Sequence, residues 1–317
     1  MAKKVALMTR HHSTLICQEA RDLLTNAGFE IVSNDTGRIL SPEEQKALIK
    51  DVYAIVAGTE KYPREMLEGC DNLKVVTRFG VGTDNFDLNT MREMGLEVGV
   101  IANYNAVAEF ALTLMLNVLK NQQNYDPAVR QGLWSRFPMR ELSAKTVGIV
   151  GFGRIGRRLA ELLSGFGVRI LAYDPYMNEQ AARERNVTPA ALDVLLAQSD
   201  IVSLHLPSTP QTYHMINAES IAKMKDGAYL VNTSRGSLVD EKALYDALVS
   251  GKLSGAGLDV YEQEPVTAEN PLFTLQNTAL APHVSALTYE TNYNGGIICA
   301  QSIINVAEGG KPLYPLW

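Results

Sequence analysis

Cysteine is scarce in this sequence. Cys17, Cys70 and Cys299 are all it has in 317 residues. They are too scattered for a disulfide framework or a metal-ligand cluster, and such usage suits a reducing cytoplasm. Long apolar runs are lacking as well. No stretch approaches the ~20 apolar residues that a membrane-spanning helix needs. Met1-Ala2-Lys3-Lys4 leads into a short strand-like run rather than an apolar signal core, so neither export nor membrane insertion is expected. Blocks of one charge are missing too. The formal net charge of -6 is spread over interspersed acids and bases, which speaks against nucleic acid or an anionic membrane as partner and for a small soluble ligand. What is present is a globular composition, 46% apolar, in a chain long enough for two domains that each bury a core.

The most informative stretch is Gly151-Phe152-Gly153-Arg154-Ile155-Gly156. It lies between the β-branched apolar run Thr146-Val147-Gly148-Ile149-Val150 and a helix-forming run at 157–163, and a second apolar run at 168–173 ends in Asp174. A lone G-x-G-x-x-G says little, but strand, glycine turn, helix, strand and acid in register make a βαβ unit for a dinucleotide. Gly151 permits the tight turn, Gly153 lets backbone approach a pyrophosphate, and Gly156 lets helix and strand pack closely. The diphosphate then rests on helix N–H groups at the positive end of the dipole. Asp174 is placed to accept hydrogen bonds from the adenosine ribose and to repel a 2′-phosphate, favouring NAD over NADP. The Arg154 cation softens that preference.

Upstream, β–α alternation begins at once. Residues 5–9 read as a buried strand, 15–27 as a helix closed by Gly28, and 29–32 as a second strand. Ser41, Pro42 and Glu44 mark a helix start, with an N-cap, a proline at the first helical position and an acid at the third. Strands follow at 54–57 and 73–77. The alternation implies a parallel sheet covered by helices, so residues 1–99 form an α/β domain without a glycine fingerprint of its own. Ligands of such sheets lie beyond the carboxyl ends of the strands, which draws attention to Arg78-Phe79-Gly80-Val81-Gly82. Its glycines free backbone N–H groups for an anion, and on sequence alone an anion nest and a plain tight turn are equal readings. His11 and His12 also follow a strand end but read as solvated. Residues 105–120 carry apolar side chains almost all round and read as a helix buried between domains, with Glu109 a paired structural acid ahead of one that faces the cleft. The weakly periodic residues 121–142, with Gly132, Trp134 and Pro138, read as a surface loop.

Past Asp174, helices are expected near 178–185 and 189–198, and strands at 201–204, 227–231, 256–260 and 278–281. The last three strands lead into Asn232-Thr233-Ser234-Arg235-Gly236, into Asp259 and Glu264, and into Pro282-His283. Neighbouring strand ends on one sheet edge converge where the dinucleotide lies. A nicotinamide carries hydride, so the protein must bind and orient a substrate and move a proton. His283 is the acid–base candidate, imidazole being the side chain that changes charge near neutral pH. Glu264 would hydrogen-bond the second ring nitrogen and favour the protonated ring. Arg235, with its planar fork of donors, would clamp a substrate carboxylate, and Asp259 suits the nicotinamide side. Such a set describes a reductase of α-keto acids, or the reverse reaction. His205 reads as a structural neighbour of the cofactor and His214 as a surface residue.

Together these motifs resemble the D-isomer-specific 2-hydroxyacid dehydrogenases, which include phosphoglycerate, glycerate and hydroxypyruvate enzymes, over most of the chain. Arg78-Phe79-Gly80-Val81-Gly82-Thr83-Asp84-Asn85 is similar to the family's substrate loop, Val107-Ala108-Glu109 to its interdomain helix motif, and Gly132 with Trp134 to its pre-fingerprint segment. The three strand-end segments are similar to its catalytic signatures. The resemblance implies an α/β fold of two doubly wound parallel-sheet domains. A Rossmann NAD-binding domain, residues 100–286, is inserted into a flavodoxin-like substrate domain of residues 1–99 and 287–317, which a helix at 289–308 completes. It implies Arg235, Glu264 and His283 as the catalytic set, and Arg78 with backbone at Val81 and Gly82, together with Arg235 and His283, for the substrate. NAD is expected on Gly151, Gly153, Arg154, Ile155, Gly156 and Asp174, and at the later strand ends on His205, Pro207, Thr212, Thr233, Arg235, Asp259 and His283. A homodimer built around the cofactor domain is implied; a metal is not.

Two positions depart from the family pattern and bear on the pocket: Phe110 stands where many members carry histidine, and Ser285-Ala286 where a glycine-rich step is common. The chain stops at Trp317, short of the regulatory extension of some phosphoglycerate dehydrogenases, so control by serine is not implied. The alternative readings are an NAD(H)-responsive protein-binding module like the family's corepressors, and a formate or phosphite dehydrogenase.

Overall fold

The computed structural model describes residues 3–7, 17–34, 36, 38, 40–101, 104–134, 136–143 and 145–317; His11 and His12 lie outside them. The chain divides into two compact units, Met1–Asn103 with Leu287–Trp317, and Tyr104–Ala286.

In the first unit five parallel strands, β1 (Lys3–Leu7), β2 (Phe29–Ser33), β3 (Ala54–Ala57), β4 (Val75–Arg78) and β5 (Glu97–Val100), pair in the order β2-β1-β3-β4-β5. This is a doubly wound order with its switch point at β1 and β3. Alternate residues of a strand face opposite ways. Val5, Leu7, Ala54 and Val56 pack with Leu24 and with Cys299, Ala300 and Ile303 of helix Tyr289–Ala307, while Ala6, Ile55, Ala57 and Val76 pack with Ile49 and Met91. Both faces are covered, which is why the strands read as unbroken apolar runs. The helix start at Ser41 is a full capping box, Ser41 Oγ accepting the Glu44 N–H and the Glu44 carboxylate accepting the Ser41 N–H. β5 does not stand out in sequence because Glu97 and Gly99 interrupt it. Gly99 is needed there, since a Cβ would sit 2.7 Å from Pro312 Cβ.

The second unit has seven parallel strands: β6 (Thr146–Val150), β7 (Arg169–Tyr173), β8 (Val187–Pro189), β9 (Ile201–Leu204), β10 (Ala228–Asn232), β11 (Leu253–Leu258) and β12 (Thr278–Leu280). They pair in the order β12-β11-β10-β9-β6-β7-β8, so the winding reverses between β6 and β9. Val147 and Ile149 join Leu114, Met115 and Leu159 on one face, and Val150, Val202 and Leu230 join Leu196 and Leu244 on the other.

Helix Asn105–Lys120 is not apolar all round: Asn105, Glu109 and Thr113, spaced by four, are exposed. Glu109 is therefore solvated, not a structural acid. The stretch expected to be a surface loop contains a helix, Gln122–Arg130, set off from its predecessor by Asn121 in left-handed backbone at φ 53°. That helix buries no residue, so it lacks the apolar period by which a helix is read. Among the described residues no helix is long and apolar enough to cross a membrane, and no cluster of three acidic, cysteine or histidine side chains could hold a metal ion.

Candidate active site

Each glycine of the turn after β6 answers to a different constraint. Gly151 has φ +102°, and a Cβ on it would lie 2.6 Å from the carbonyl carbon of His205, just past β9. In the first turn of helix Arg154–Leu163, a Cβ on Gly156 would come 2.1 Å from the Gly151 carbonyl oxygen. Beside Gly153 a Cβ would meet nothing within 4 Å. The space there is open, and the helix that begins beside it has no side-chain cap, so N–H groups that lie outside the helix's own bonding pattern and the positive end of the dipole border that space. Asp174 accepts the N–H of Phe152 at 2.7 Å and that of Tyr176 at 2.8 Å, bracing the glycine turn in addition to any ribose contact.

Two buried polar atoms on the neighbouring strand ends have no protein partner, His205 Nδ1 after β9 and Thr233 Oγ1 after β10. His205 Nε2 lies 2.9 Å from Ser203 Oγ, and burial pushes the imidazole pKa down to about 3, so the ring stays neutral. Thr212 Oγ1 donates to the carbonyl of exposed Pro207 at 2.8 Å; Arg154 is exposed and Ile155 half-buried. An open cradle, an uncapped helix start and orphaned polar atoms at the switch point fit a dinucleotide.

β10, β11 and β12 are sheet neighbours, and the segments after them bring Glu264 and His283 into contact. Asn232, 1% exposed, shapes the first segment: its Oδ1 accepts the Ser234 N–H at 3.0 Å and its Nδ2 donates to the Arg235 carbonyl at 2.8 Å. Ser234 Oγ donates to the Leu206 carbonyl. Arg235 Nη1 donates to the Ser234 carbonyl at 2.6 Å, and its charge acts on Glu264. Glu264 Oε1 accepts the Tyr261 N–H at 3.0 Å, and Oε2 lies 2.7 Å from His283 Nδ1. Burial pushes the Glu264 carboxyl up, but the hydrogen bond and charge of His283, the Tyr261 N–H and Arg235 together hold it below its ordinary value. With a carboxylate on Nδ1, Nε2 is the nitrogen left to face a substrate.

His283 has left-handed backbone, φ 56°, which costs a non-glycine residue roughly 1–3 kcal/mol. Asp259, 0% exposed, holds it there. Its carbonyl accepts the His283 N–H at 2.7 Å, and its two carboxylate oxygens accept the N–H groups of Val284 at 2.8 Å and Ser285 at 2.9 Å. The oxygens expected on the nicotinamide side thus already set the turn that presents the imidazole.

In the first unit Arg78 closes β4 and folds over its own loop. Nε donates to the Gly82 carbonyl at 3.0 Å and Nη1 to the Phe79 carbonyl at 2.9 Å, and a Cβ on Gly80 would lie 3.0 Å from the guanidinium. Arg78 thus grips the carbonyls of the loop expected to meet the substrate, fixing its course. Asn85 Nδ2 ties the loop to the segment after β3, donating to the Gly58 and Glu60 carbonyls at 3.0 and 2.6 Å.

Residues 112–285 match the family model described as D-isomer specific 2-hydroxyacid dehydrogenase, NAD binding domain. The chain belongs to this family of dehydrogenases. It is 40% identical over 286 residues to a glyoxylate reductase of Korarchaeum cryptofilum, covering 86% of each chain. To the D-3-phosphoglycerate dehydrogenase of Archaeoglobus fulgidus it is 38% identical over 299 residues, 93% of this chain but 56% of that one, so it spans little more than half of that relative. The crystal structure of a glyoxylate reductase from Paecilomyes thermophila superposes with a TM-score of 0.87 at 30% identity, covering 99% of this chain and 98% of that one. As a member of the family the protein is an NAD-dependent oxidoreductase, and its glycine turn belongs to the NAD-binding domain.

Four residues of this dehydrogenase, Asn232, Gly236, Glu241 and His214, have structural roles that sequence reasoning does not assign to them. A Cβ on Gly236 would lie 1.9 Å from the carbonyl carbon of Tyr261, so the Arg235 turn and the Glu264 segment meet backbone to backbone. Asn232 and Gly236 carry a signal, as turn formers on either side of Arg235. Glu241, in the first turn of helix Glu241–Ser250, carries none. His214 is half-buried, not a surface residue, its Nε2 2.7 Å from Glu262 Oε1.

Proposed function

We propose that the protein reduces a small 2-keto acid with NADH, or oxidises the corresponding D-2-hydroxy acid with NAD, in the cytoplasm. The observation that carries this reading is the Glu264–His283 pair, 2.7 Å apart at the ends of adjacent strands and under the charge of Arg235. NAD(H), when bound, supplies or accepts the hydride. Gly151, Gly153, Arg154, Ile155, Gly156 and Asp174 would hold its adenosine diphosphate half, and His205, Pro207, Thr212, Thr233, Arg235, Asp259 and His283 the remainder. His283 gives a proton from Nε2 to the keto oxygen, or takes one from the hydroxyl in the reverse direction. Glu264 orients the ring through its contact with Nδ1. Arg235 clamps the carboxylate and polarises the carbonyl beside it. Arg78 and the backbone N–H groups of Val81 and Gly82 serve the substrate from the loop after β4.

The same proposal includes a homodimer built on the second unit. Val129, Leu133, Trp134, Phe137 and Met139 lie close in sequence with exposures from 53% to 82%, an apolar surface that a second copy would cover. Three free cysteines accord with a reducing compartment.

NADH oxidation across glyoxylate, hydroxypyruvate, phosphohydroxypyruvate and branched keto acids tests the reading and identifies the substrate. His283→Ala should lower kcat by about 10²–10⁴-fold while weakening NADH binding far less, and Arg235→Lys should raise KM strongly. Normal turnover by His283→Ala would remove that residue from the chemistry. Silence across the panel alongside NADH binding would favour a corepressor-like role, and turnover of formate or phosphite with NAD would move the protein to that class. Asp174→Ala should relax the preference for NAD over NADP; an unchanged ratio of kcat/KM would place the ribose contact elsewhere.

A further inference from the structure

We propose that Glu241 is a positioning residue for the Glu264–His283 pair, one carboxylate clasping both ends of the segment that carries Glu264. The proposal rests on the reading of His283 as the acid–base group. Residues 262–269 are all exposed, so no apolar burial fixes the course of this segment. Yet Glu264 Oε2 has to stay 2.7 Å from His283 Nδ1. A pair this open to solvent contributes little by itself, so its geometry has to be imposed from outside.

Glu241 Oε1 accepts the Glu262 N–H at 2.7 Å, and Glu241 Oε2 accepts Asn270 Nδ2 at 2.7 Å. The first bond pins the chain two residues before Glu264, and the second pins it where the segment ends. Asn270 is anchored in turn, its Oδ1 accepting the N–H of fully buried Leu272 at 3.0 Å. Hydrogen bonds to an ionised acceptor are the strong ones, which suits one carboxylate to holding an exposed stretch.

Glu262 returns the grip. Its Oε1 accepts the Glu241 N–H at 3.2 Å, one of the donors at the helix start that has no partner within the helix, and so it sits at the positive end of the dipole. The two carboxylates are each met by the other's backbone N–H, which offsets their mutual repulsion. His214 Nε2 stands 2.7 Å from the same Glu262 oxygen without hydrogen-bond geometry and walls it in. On the inner side Tyr261, 5% exposed, lies against Gly236 and sends its N–H back to Glu264 Oε1. Polar contacts therefore run from the helix start to the imidazole, and Glu241 is where both ends of the segment meet.

The test uses the full-length protein. Glu241→Ala should lower kcat by about tenfold or more, since a small misplacement of a reacting group is enough for that, while the KM for NADH stays as in the wild type. Glu241→Gln, which keeps an acceptor for the Glu262 N–H, should recover part of the loss. Because Glu241 also begins a helix, Asn270→Ala is the second variant: it frees the far end of the segment without touching the Glu241 helix and should give a smaller fall in kcat, with the modest drop in Tm expected from losing the cap on the Leu272 N–H. A readout independent of turnover is the His283 Nδ1 proton in ¹H–¹⁵N spectra, shifted downfield in the wild type by its bond to Glu264 and expected to move upfield or broaden in Glu241→Ala. Folded Glu241→Ala with unchanged kcat and an unchanged Nδ1 signal overturns the proposal. So does a loss of activity that merely follows a fall in Tm while the Nδ1 signal persists. If the wild type turns over no keto acid, the proposed function fails, and the Nδ1 signal still decides the clasp.

Discussion

The carboxyl of Glu264 sits under opposed influences: burial raises its pKa, while His283, the Tyr261 N–H and Arg235 lower it further than burial raises it. A folded value below the unfolded one means that the ionised pair adds stability above the ordinary carboxylate range and loses it as pH falls through the depressed value. Glu264→Gln removes that contribution. The gap in Tm between wild type and Glu264→Gln should therefore narrow as pH is lowered from about 6 to about 3. With the Glu264 side chain 34% exposed the gap is modest. His205 resists protonation in both proteins, so its own acid cost cancels in the difference. A gap constant over that range would mean that no such pairing exists in solution. Arg235, Glu264 and His283 are legible in sequence because each is a chemically apt side chain just past a strand. The task of Asp259 is not, since it binds backbone N–H groups 25 and 26 residues away, and any residue type could have supplied those.

At the scale of the element, the glycine turn separates packing from ligand space. Gly156→Ala forces a methyl to within 2.1 Å of the Gly151 carbonyl oxygen, so the helix must retreat from β6. Such overpacking costs about 1–3 kcal/mol and should lower Tm and weaken NADH together. Gly153→Ala meets no protein atom within 4 Å and should leave Tm near the wild type while weakening NADH, its methyl occupying the open cradle. Thermal denaturation and NADH titration on the two variants check the contrast; equal losses of Tm would show that the space beside Gly153 is not open. The capping box at Ser41 and the βαβ unit were readable because neighbours in sequence complete them. The short strand β8 and helix Gln122–Arg130 were not: three residues ending in proline carry no alternation, and a helix without a buried face carries no period.

For the whole molecule, apolar surface is the lever. Trp134 is 82% exposed and Phe137 64%, which water disfavours unless another surface covers them. Sedimentation equilibrium should find a dimer for the wild type and monomers for the double variant Trp134→Asp, Phe137→Asp. A monomeric wild type at micromolar concentration would remove the dimer from the proposal. Chain connectivity belongs to this scale as well. Helix Tyr289–Ala307 buries Cys299, Ala300 and Ile303 against strands near the start of the chain, and no pattern inside the helix names that sheet. A resemblance to the family carried the expectation of its return; periodicity did not.

By itself the sequence determined what short range can encode: alternating apolar runs that must become a parallel sheet, a glycine turn whose φ and close packing few other residues tolerate, and reactive side chains set just past strands. The tertiary structure alone decided that Arg78 holds its own loop, that Asp259 holds His283 in a left-handed turn, and that Glu241 gathers both ends of an exposed segment. Those tasks are hydrogen bonds between groups distant in the chain, and nothing local in a sequence says which carbonyl or N–H will arrive.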